Sequence, residues 1–336
     1  MARKKGSYRS MKKIEPAVQT FLVNTPAVAA GVTSTSYIDL SQVASLLNRR
    51  FYRQGINWAV SGMKIFSGTS GQVTISKLPE TWVMSNAWEK SFRVWQRMNN
   101  DALEETESVR PRFLDFKIYA DAQHHTLGYD ANLLPTNVLG GSPITPGEWE
   151  SSKVVVPQTT NDPAQAVSFE LLAVGANNPG VSPVSGLDAK SLIEGYAASR
   201  ALPNIEDPNV PADAVNDAEN WMVTMFNEGT KQTDYVLDDM TTENNIAPYP
   251  FENDGANFDT MYPNGANQFS GMQLHDFETI SNTTIGGITR VKGGMFPCGL
   301  IRIDHVPGET TANLAIQIDL VPGSHRGYLC EPMTEM

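Results

Sequence analysis

The sequence predicts an all-β fold, in which short strands form a single sandwich and long loops connect them. Three observations favour it. The 336 residues include 26 glycines and 21 prolines but only 18% charged residues, a composition typical of many short elements joined by turns. Eight segments have the pattern of strands, and long connections separate several of them. The chain has no internal repeat and no clear linker, which favours one domain with insertions.

The first element is a basic arm. Residues 1–13 contain six Lys/Arg and no Asp/Glu. They cannot bury enough apolar area to offset the entropy of ordering, so we expect residues 1–19 to form a flexible arm and residues 20–336 to form the folded domain. From about Thr20 to Ser36 we expect an extended lead-in.

A short helix is predicted over "IDLSQVASLLNRRFYRQG". Leu40, Val43 and Leu47 fall on one face, and Gly55 is the expected C-terminal stop. Three cations would then lie in the last turn, where positive charge suits the helix dipole: Arg49, Arg50 and Arg53.

Two strands and a second helix follow. "INWAVSGMKIFSG" and "GQVTISKLP" predict strands paired with each other. "SNAWEKSFRVWQRMNND" predicts the clearest helix, with Asn86 and Glu89 as a capping box. One apolar stripe on this helix favours a core-facing side over a base-stacking platform: Trp88, Phe92, Trp95 and Met98.

The remaining elements lie among the long connections at 121–151, 175–218 and 228–293. The connection at 175–218 contains a predicted helix, "LDAKSLIEGYAASR". Six further strands complete the eight: "RFLDFKIYAD", "KVVVPQ", "AVSFELLAVG", "NWMVTMFNEG", "GMFPCGLIRID" and "NLAIQIDLVPG".

Motifs that carry catalysis or bind a cofactor are missing from the sequence. There is no phosphate-binding glycine loop, no dinucleotide fingerprint, no zinc-protease motif and no nucleophile elbow. We therefore expect neither an enzyme nor a cofactor. His124 and His125 are predicted to lie in a solvated loop, and "ENDGANFD" is predicted to be a polar turn, so no metal site is expected. Whether Cys298 and Cys330 pair stays open.

Membrane insertion is not expected either. No apolar run approaches the roughly 20 residues that span a bilayer, and the basic start lacks the apolar region of a secretory signal.

Charge divides the chain in two. Residues 1–100 contain 14 Lys/Arg and four Asp/Glu, whereas residues 101–336 contain 11 and 33, giving the overall net charge of -12. Within 201–260 there are 13 acidic residues and one basic residue. This division indicates two surfaces with different partners, because the basic end attracts a polyanion that the acidic remainder repels.

Two interpretations of the arm remain. It is either a solubilising or nuclear-targeting tail, or it binds nucleic acid without sequence preference, because flexible Lys and Arg side chains neutralise phosphates without ordered geometry. Many arms gathered on one surface would act together, since each bound arm raises the effective concentration of the next. A closed protein shell around a genome would gather them in this way.

The layout is similar to that of capsid proteins of the small circular, Rep-encoding single-stranded DNA viruses of eukaryotes. The shared features are a basic N-terminal arm, eight strands and long loops between strands. The stretches that resemble environmental members of this group are "YIDLSQVASLLNRRFYRQGINWAVSGMKI", "LPETWVMSNAWEKSFRVWQRM" and "LVPGSHRGYL".

The resemblance implies a single eight-stranded jelly roll and a homo-oligomeric icosahedral shell of 60 copies, with the arm facing the packaged DNA. It implies a location in the virion, and in the nucleus of an infected cell. By position, genome contact falls to six residues of the arm: Arg3, Lys4, Lys5, Arg9, Lys12 and Lys13. Arg49, Arg50 and Arg53 are secondary candidates for the inner surface, and a structural role at the end of a helix is the alternative for them. The arm is shorter than in many relatives. The host-cell receptor cannot be read from the sequence.

Two rival functions come from other classes. A β-sandwich that binds carbohydrate would use tryptophans as a stacking face, but it leaves the arm unexplained. The tryptophans are Trp58, Trp82, Trp149 and Trp221. A hydrolase that uses two carboxylates would need a pocket with perturbed acids, to which nothing in the sequence points.

Overall fold

β-Strands in predominantly antiparallel sheets make up most of the secondary structure. The computed structural model describes residues 16–104, 115–158, 167–177, 180–201, 271–281 and 287–336. The strands are β1 Thr20–Asn24, β2 Ser34–Asp39, β3 Ile56–Phe66, β4 Gly71–Lys77, β5 Pro135–Thr136, β6 Lys153–Gln158, β7 Val167–Val174, β8 Gly180–Val181, β9 Asp188–Ser191, β10 Gln273–Ile280, β11 Ile288–Phe296, β12 Leu300–Pro307, β13 Ala315–Leu320, β14 Pro322–Gly323, β15 Gly327–Tyr328 and β16 Cys330–Pro332. The described α-helices are α1 Leu40–Asn48, α2 Trp82–Glu104, α3 Ala122–Leu127 and α4 Leu192–Ala201. The predicted all-β class is confirmed.

Two sheets share the main apolar core. The first sheet has the order β11-β3-β13-β1-β5, with β16 also paired to β3, and the second has the order β10-β4-β12-β2. Trp58 of the first sheet is fully buried and belongs to the same apolar cluster as Ile75 and Ile303 of the second. Along β12 and β13 buried and half-buried positions alternate, because successive side chains of a strand point to opposite faces.

The connection from β4 to β10 is the largest insertion. Its described parts contain α2, α3, α4 and a third sheet with the order β6-β7-β9-β8. A second apolar cluster joins Trp88 and Trp95 of α2 to Phe116 and Leu171, with Phe92 packed against it. Met98 also packs there, so the predicted apolar stripe of this helix is confirmed as core-facing.

The predicted pairing of the first two strands is wrong, although both strands exist. β3 pairs with β11 and β13, whereas β4 pairs with β10 and β12. The chain therefore crosses from one sheet to the other between them. Local alternation of apolar residues predicts a strand but not its partner, because the partner is set by contacts distant in sequence.

The predicted strand "GMFPCGLIRID" is two strands in different sheets. A 3-10 turn at Pro297–Gly299 takes the chain from β11 to β12. Cys298 and Gly299 have φ angles of 56° and 68°, and this left-handed pair reverses the chain direction. The strand predicted for "RFLDFKIYAD" is wrong over the part of that segment that the structure describes. Its one β-type contact there is an isolated bridge between Tyr119 and Val174.

Three strand predictions are confirmed. β6, β7 and β13 occupy "KVVVPQ", "AVSFELLAVG" and "NLAIQIDLVPG", although β6 and β7 belong to the third sheet. "NWMVTMFNEG" and "ENDGANFD" lie outside the described residues. The extended lead-in contains β1 and the first half of β2, and β10 lies in a region predicted to be a connection.

The predicted end of the first helix is wrong, and so is the predicted start of the second. α1 ends at Asn48, and Arg49 caps it with a left-handed conformation of φ 52° and ψ 37°. Arg50 and Arg53 therefore follow the helix instead of lying in its last turn. "LDAKSLIEGYAASR" likewise begins as β9 before α4 starts at Leu192.

The second helix begins a full turn earlier than predicted, at Trp82. The hydroxyl of Thr81 accepts a hydrogen bond from the backbone N–H of Met84 at 3.4 Å, as expected of an N-cap residue. Asn86 lies inside the helix, so the predicted capping box with Glu89 is wrong.

Candidate nucleic-acid interface

The base of the arm is held against the end of α1. Arg3, Lys4, Lys5, Arg9, Lys12 and Lys13 lie outside the described residues, but residues 16–19, here called the arm base, are described. The backbone N–H of Val18 donates to Asn48 Oδ1 at 2.9 Å, and Tyr328 Oη donates to the carbonyl of Val18 at 2.7 Å. Arg50 Nη1 donates to the carbonyl of Pro16 at 3.3 Å. The chain therefore enters the fold beside one of the predicted arginines.

The three sequence-predicted arginines are all exposed on one segment. Arg49 caps α1, Arg50 contacts the arm base, and Arg53 lies just before β3. Arg50 therefore lies beside the arm base, whereas Arg53 lines a cleft.

The cleft beside Arg53 has a volume of about 770 Å³. We call it the cationic cleft. The cleft has three main walls: α2 between residues 88 and 96, the segment after α1, and the residues that follow β14. Its charged and aromatic lining comprises Phe51, Arg53, Trp88, Glu89, Phe92, Arg93, Asp115, His325 and Arg326.

Arg326 is held in the wall of this cleft by contacts to the same segment as Arg53. Its φ is 50°, a left-handed conformation that costs a residue with a Cβ roughly 1 kcal/mol or more. Tyr52 Oη donates to the carbonyl of Arg326 at 3.0 Å, and Arg326 Nη1 donates to the carbonyl of Phe51. Sequence reasoning did not select Arg326 or Arg93, because no spacing pattern connects them to residues 49–53.

Positive charge exceeds negative charge in the cleft. Arg93 is paired with Glu89 one turn away on α2. Burial raises the pKa of Asp115 to about 7, although the charge of Lys117 and a hydrogen bond from the backbone N–H of Gln54 oppose the rise. Near neutral pH this carboxyl is therefore only partly ionised, and it offsets the charge of Arg53 and Arg326 incompletely.

A buried carboxylate supports the segment that carries the arginines. Asp39 Oδ1 accepts from the N–H groups of Ser41 and Gln42 at the start of α1, at 2.8 and 3.3 Å. Its Oδ2 accepts from Gln54 Nε2 at 3.1 Å and Trp149 Nε1 at 2.9 Å. Burial raises its pKa to about 6, and these four donors oppose the rise. Asp39 thus joins α1, the residue after Arg53 and the insertion.

The histidine pair is not in a solvated loop, and that prediction is wrong. His124 and His125 are buried in α3. The backbone N–H of Ala120 donates to His124 Nδ1 at 3.0 Å, so Nε2 carries the proton and donates to Asn132 Oδ1 at 2.8 Å. Burial lowers the pKa of His124 to about 4. The ring is a neutral structural group that stacks on Tyr37 with centroids 4.4 Å apart.

Other candidate chemistry in the described ranges is limited. No group of three His, Cys, Asp or Glu side chains there could hold a metal ion. Cys298 and Cys330 are both free thiols. Of the tryptophans considered for carbohydrate stacking, Trp58 is fully buried, Trp149 is bonded to Asp39, and Trp221 lies outside the described residues. Among the helices of the described residues, none is long and apolar enough to cross a membrane.

Comparison with known proteins found no matching family model, no similar curated protein and no similar solved structure.

Proposed function

We propose that this chain is the capsid protein of a small circular single-stranded DNA virus and that it assembles into an icosahedral shell of 60 copies. In this proposal the two core sheets are a jelly roll, and the basic arm lies inside the shell against the genome. The acidic remainder of the chain faces solvent. In this proposal the chain has no catalytic role, and its location is the virion and, within an infected cell, the nucleus.

The observation that carries the proposal is the pairing of the eight core strands. Numbered in chain order, they are β1, β2, β3, β4, β10, β11, β12 and β13. The first pairs with the eighth, the second with the seventh, the third with the sixth and the fourth with the fifth, all antiparallel. Four strands paired in this nested way with the next four, and divided between two sheets, is the arrangement expected of a jelly roll.

The fold alone does not separate capsid proteins from other jelly rolls, such as lectins and cupins. The arm provides the distinction. Six cations precede the arm base, and Arg50 meets the chain where it enters the fold. A cationic segment next to a cluster of exposed arginines favours a polyanion as partner.

The test is assembly of the purified full-length protein. We expect electron microscopy to show uniform closed particles and nuclease treatment to leave protected DNA inside them. A chain that remains monomeric under every assembly condition tried would overturn the proposal. A glycan-binding screen on such a monomer would then test the carbohydrate-binding alternative.

A further inference from the structure

We propose that the cationic cleft binds one nucleotide of a single-stranded nucleic acid, with its phosphate held by Arg53 and Arg326 and its base against the aromatic wall of Phe51 and Phe92. This inference deepens the proposed function and rests on it for the identity of the polymer. It places an ordered contact on the folded domain, in addition to the arm.

The two arginines are available for a phosphate. Arg326 uses one donor on the carbonyl of Phe51, which leaves other N–H groups of a guanidinium that has five. Arg53 is exposed, and its guanidinium makes no hydrogen bond to the described part of the chain, although its charge helps to lower the pKa of Asp115. Guanidinium groups bind phosphate oxygens through charge-assisted, often paired hydrogen bonds.

The backbone at Arg326 points to a role for its side chain. A glycine would adopt the φ of 50° without cost, and Gly327 follows directly with a φ of 106°. An arginine instead occupies the strained position, and hydrogen bonds to Tyr52 and Phe51 hold it against the cleft. Strain kept in this way is characteristic of binding and switch positions.

The aromatic wall has the properties of a base-stacking surface. Phe92 stacks on Trp88 with centroids 5.0 Å apart and an interplanar angle of 11°, and it remains half-buried at the cleft. Phe51 is also half-buried, and Lys117 Nζ lies 5.9 Å from its ring centroid. Every base has a π-face, so such a wall accepts any sequence, as packaging of a whole genome requires.

The cleft and the arm base are linked through one turn of the fold. Tyr328 donates to Val18 of the arm base and accepts from Asn48, and residues 325–326 of the same turn line the cleft. A strand of nucleic acid bound by the arm therefore passes next to the cleft, where its effective concentration is high.

The experiment uses the full-length protein and a labelled oligodeoxynucleotide that contains 5-iodo-2′-deoxyuridine. We expect photocross-links, mapped by mass spectrometry, on the peptides that contain Phe51 or Phe92. We expect the double substitution Arg53→Gln and Arg326→Gln to weaken oligonucleotide binding roughly tenfold and to remove those cross-links. Cross-links confined to the arm, with unchanged affinity of the double variant, would overturn the inference.

Arg290→Gln is the matched control for Arg53→Gln alone, because each removes one positive charge and Arg290 lies on β11 opposite Lys64, at the far end of β3 from the cleft. We expect this variant to bind within about twofold of the unmodified protein, since the site lies roughly 25 Å away at about 3.3 Å per strand residue. If the double variant does not fold, Arg53→Gln alone decides, because the fold makes no use of that guanidinium as a hydrogen-bond donor. Equal losses in Arg53→Gln and Arg290→Gln would overturn the inference.

The outcomes separate the two proposals. Particles that form and package DNA equally well with the double variant, without cleft cross-links, leave the proposed function standing and remove the cleft. A protein that never assembles but still loses oligonucleotide affinity through the double variant leaves the cleft standing and removes the capsid function.

Discussion

Asp39, which is buried, and Asp115, which is half-buried, belong to one network and differ in how their charge is supported. Asp39 accepts four hydrogen bonds from protein donors, two of them from the N-terminus of α1. Asp115 Oδ2 accepts only a long one, 3.4 Å, from the N–H of Gln54. A charge held away from water is destabilising unless donors or counter-charges compensate it. Burial raises the pKa of both carboxyls, to about 7 for Asp115 and about 6 for Asp39, and Asp39 has more donors that oppose the rise.

We predict that Asp115→Asn raises stability at pH 8 and leaves it nearly unchanged at pH 4. The folded protein holds the Asp115 proton up to about pH 7, whereas the unfolded chain loses it near pH 4. Stability therefore falls as pH rises through this window, and the uncharged amide avoids the loss. The gain at pH 8 should be about 1 kcal/mol, because Lys117 and Arg53 offset part of the charge of this half-buried group, although the negative charge of Asp39 opposes its ionisation.

Thermal unfolding measured at both pH values tests this prediction. The control is Asp130→Asn, at an exposed position, which should change the melting temperature equally little at either pH. A variant at position 115 that is no more stable than the unmodified protein at pH 8 would show that the carboxyl is well compensated when ionised.

At the scale of elements, the reversal between β11 and β12 has little room for a side chain. A Cβ added to Gly299 would lie 2.9 Å from Trp58 Cδ1 and 3.1 Å from Leu40 Cβ, and its φ is 68°. The turn thus sets the spacing between the first sheet, which carries Trp58, and the start of α1. It also takes the chain from the sixth to the seventh core strand.

We predict that Gly299→Ala destabilises the protein by about 2–4 kcal/mol, the sum of left-handed strain and overpacking. Gly140→Ala isolates the strain, because its φ is 70° with no atom within 4 Å, and should cost about 1 kcal/mol. Gly68→Ala, with open space and no such φ, should be nearly neutral. Denaturant midpoints of the unassembled chains measure all three, and equal values for positions 299 and 140 would rule out the packing explanation.

The elements also show how far sequence reasoning reaches. β3, β4 and β13 were predictable because their apolar residues recur along the strand. β10 was not, since it is an edge strand with exposed Leu274 and Phe277 and no regular apolar alternation. Gly55 was interpreted as a helix stop, but a Cβ there would lie 2.2 Å from Trp88 Cζ2. Glycine is needed at this position because Trp88 of α2 packs against it, and no local pattern of the sequence reveals a contact with so distant a helix.

The candidate site divides in the same way. Arg49, Arg50 and Arg53 could be selected because they are close in sequence and share one charge. The cleft could not, because its walls come from separate segments around residues 51–56, 88–96, 115 and 325–334. Only the tertiary fold brings Arg53 and Arg326 to one opening, so spacing in the sequence contains no signal for it.

At the scale of the whole molecule, nested strand pairing places the chain's ends together. β1 pairs with β13, so the arm base lies beside the residues that follow the last core strand. Gln19 Nε2 donates to the carbonyl of Gly327 at 3.0 Å. The arm therefore starts from a point fixed by the core.

We accordingly predict that deletion of residues 2–13 preserves particle assembly but lowers the packaged DNA, most clearly at raised salt. The hydrogen bonds of the arm base begin at Pro16 and remain. Sixty arms would lose on the order of 360 positive charges, so fewer counterions are released on binding and the DNA content should fall by roughly half or more.

Replacement of the six cations by glutamine, which keeps the arm's length, should give the same loss if charge is responsible. Particle counts by electron microscopy and nuclease-protected DNA, compared at about 0.15 and 0.5 M salt, measure both effects. Undiminished DNA in both variants would show that the folded surface alone holds the genome, whereas loss of particles would show that the arm acts in assembly.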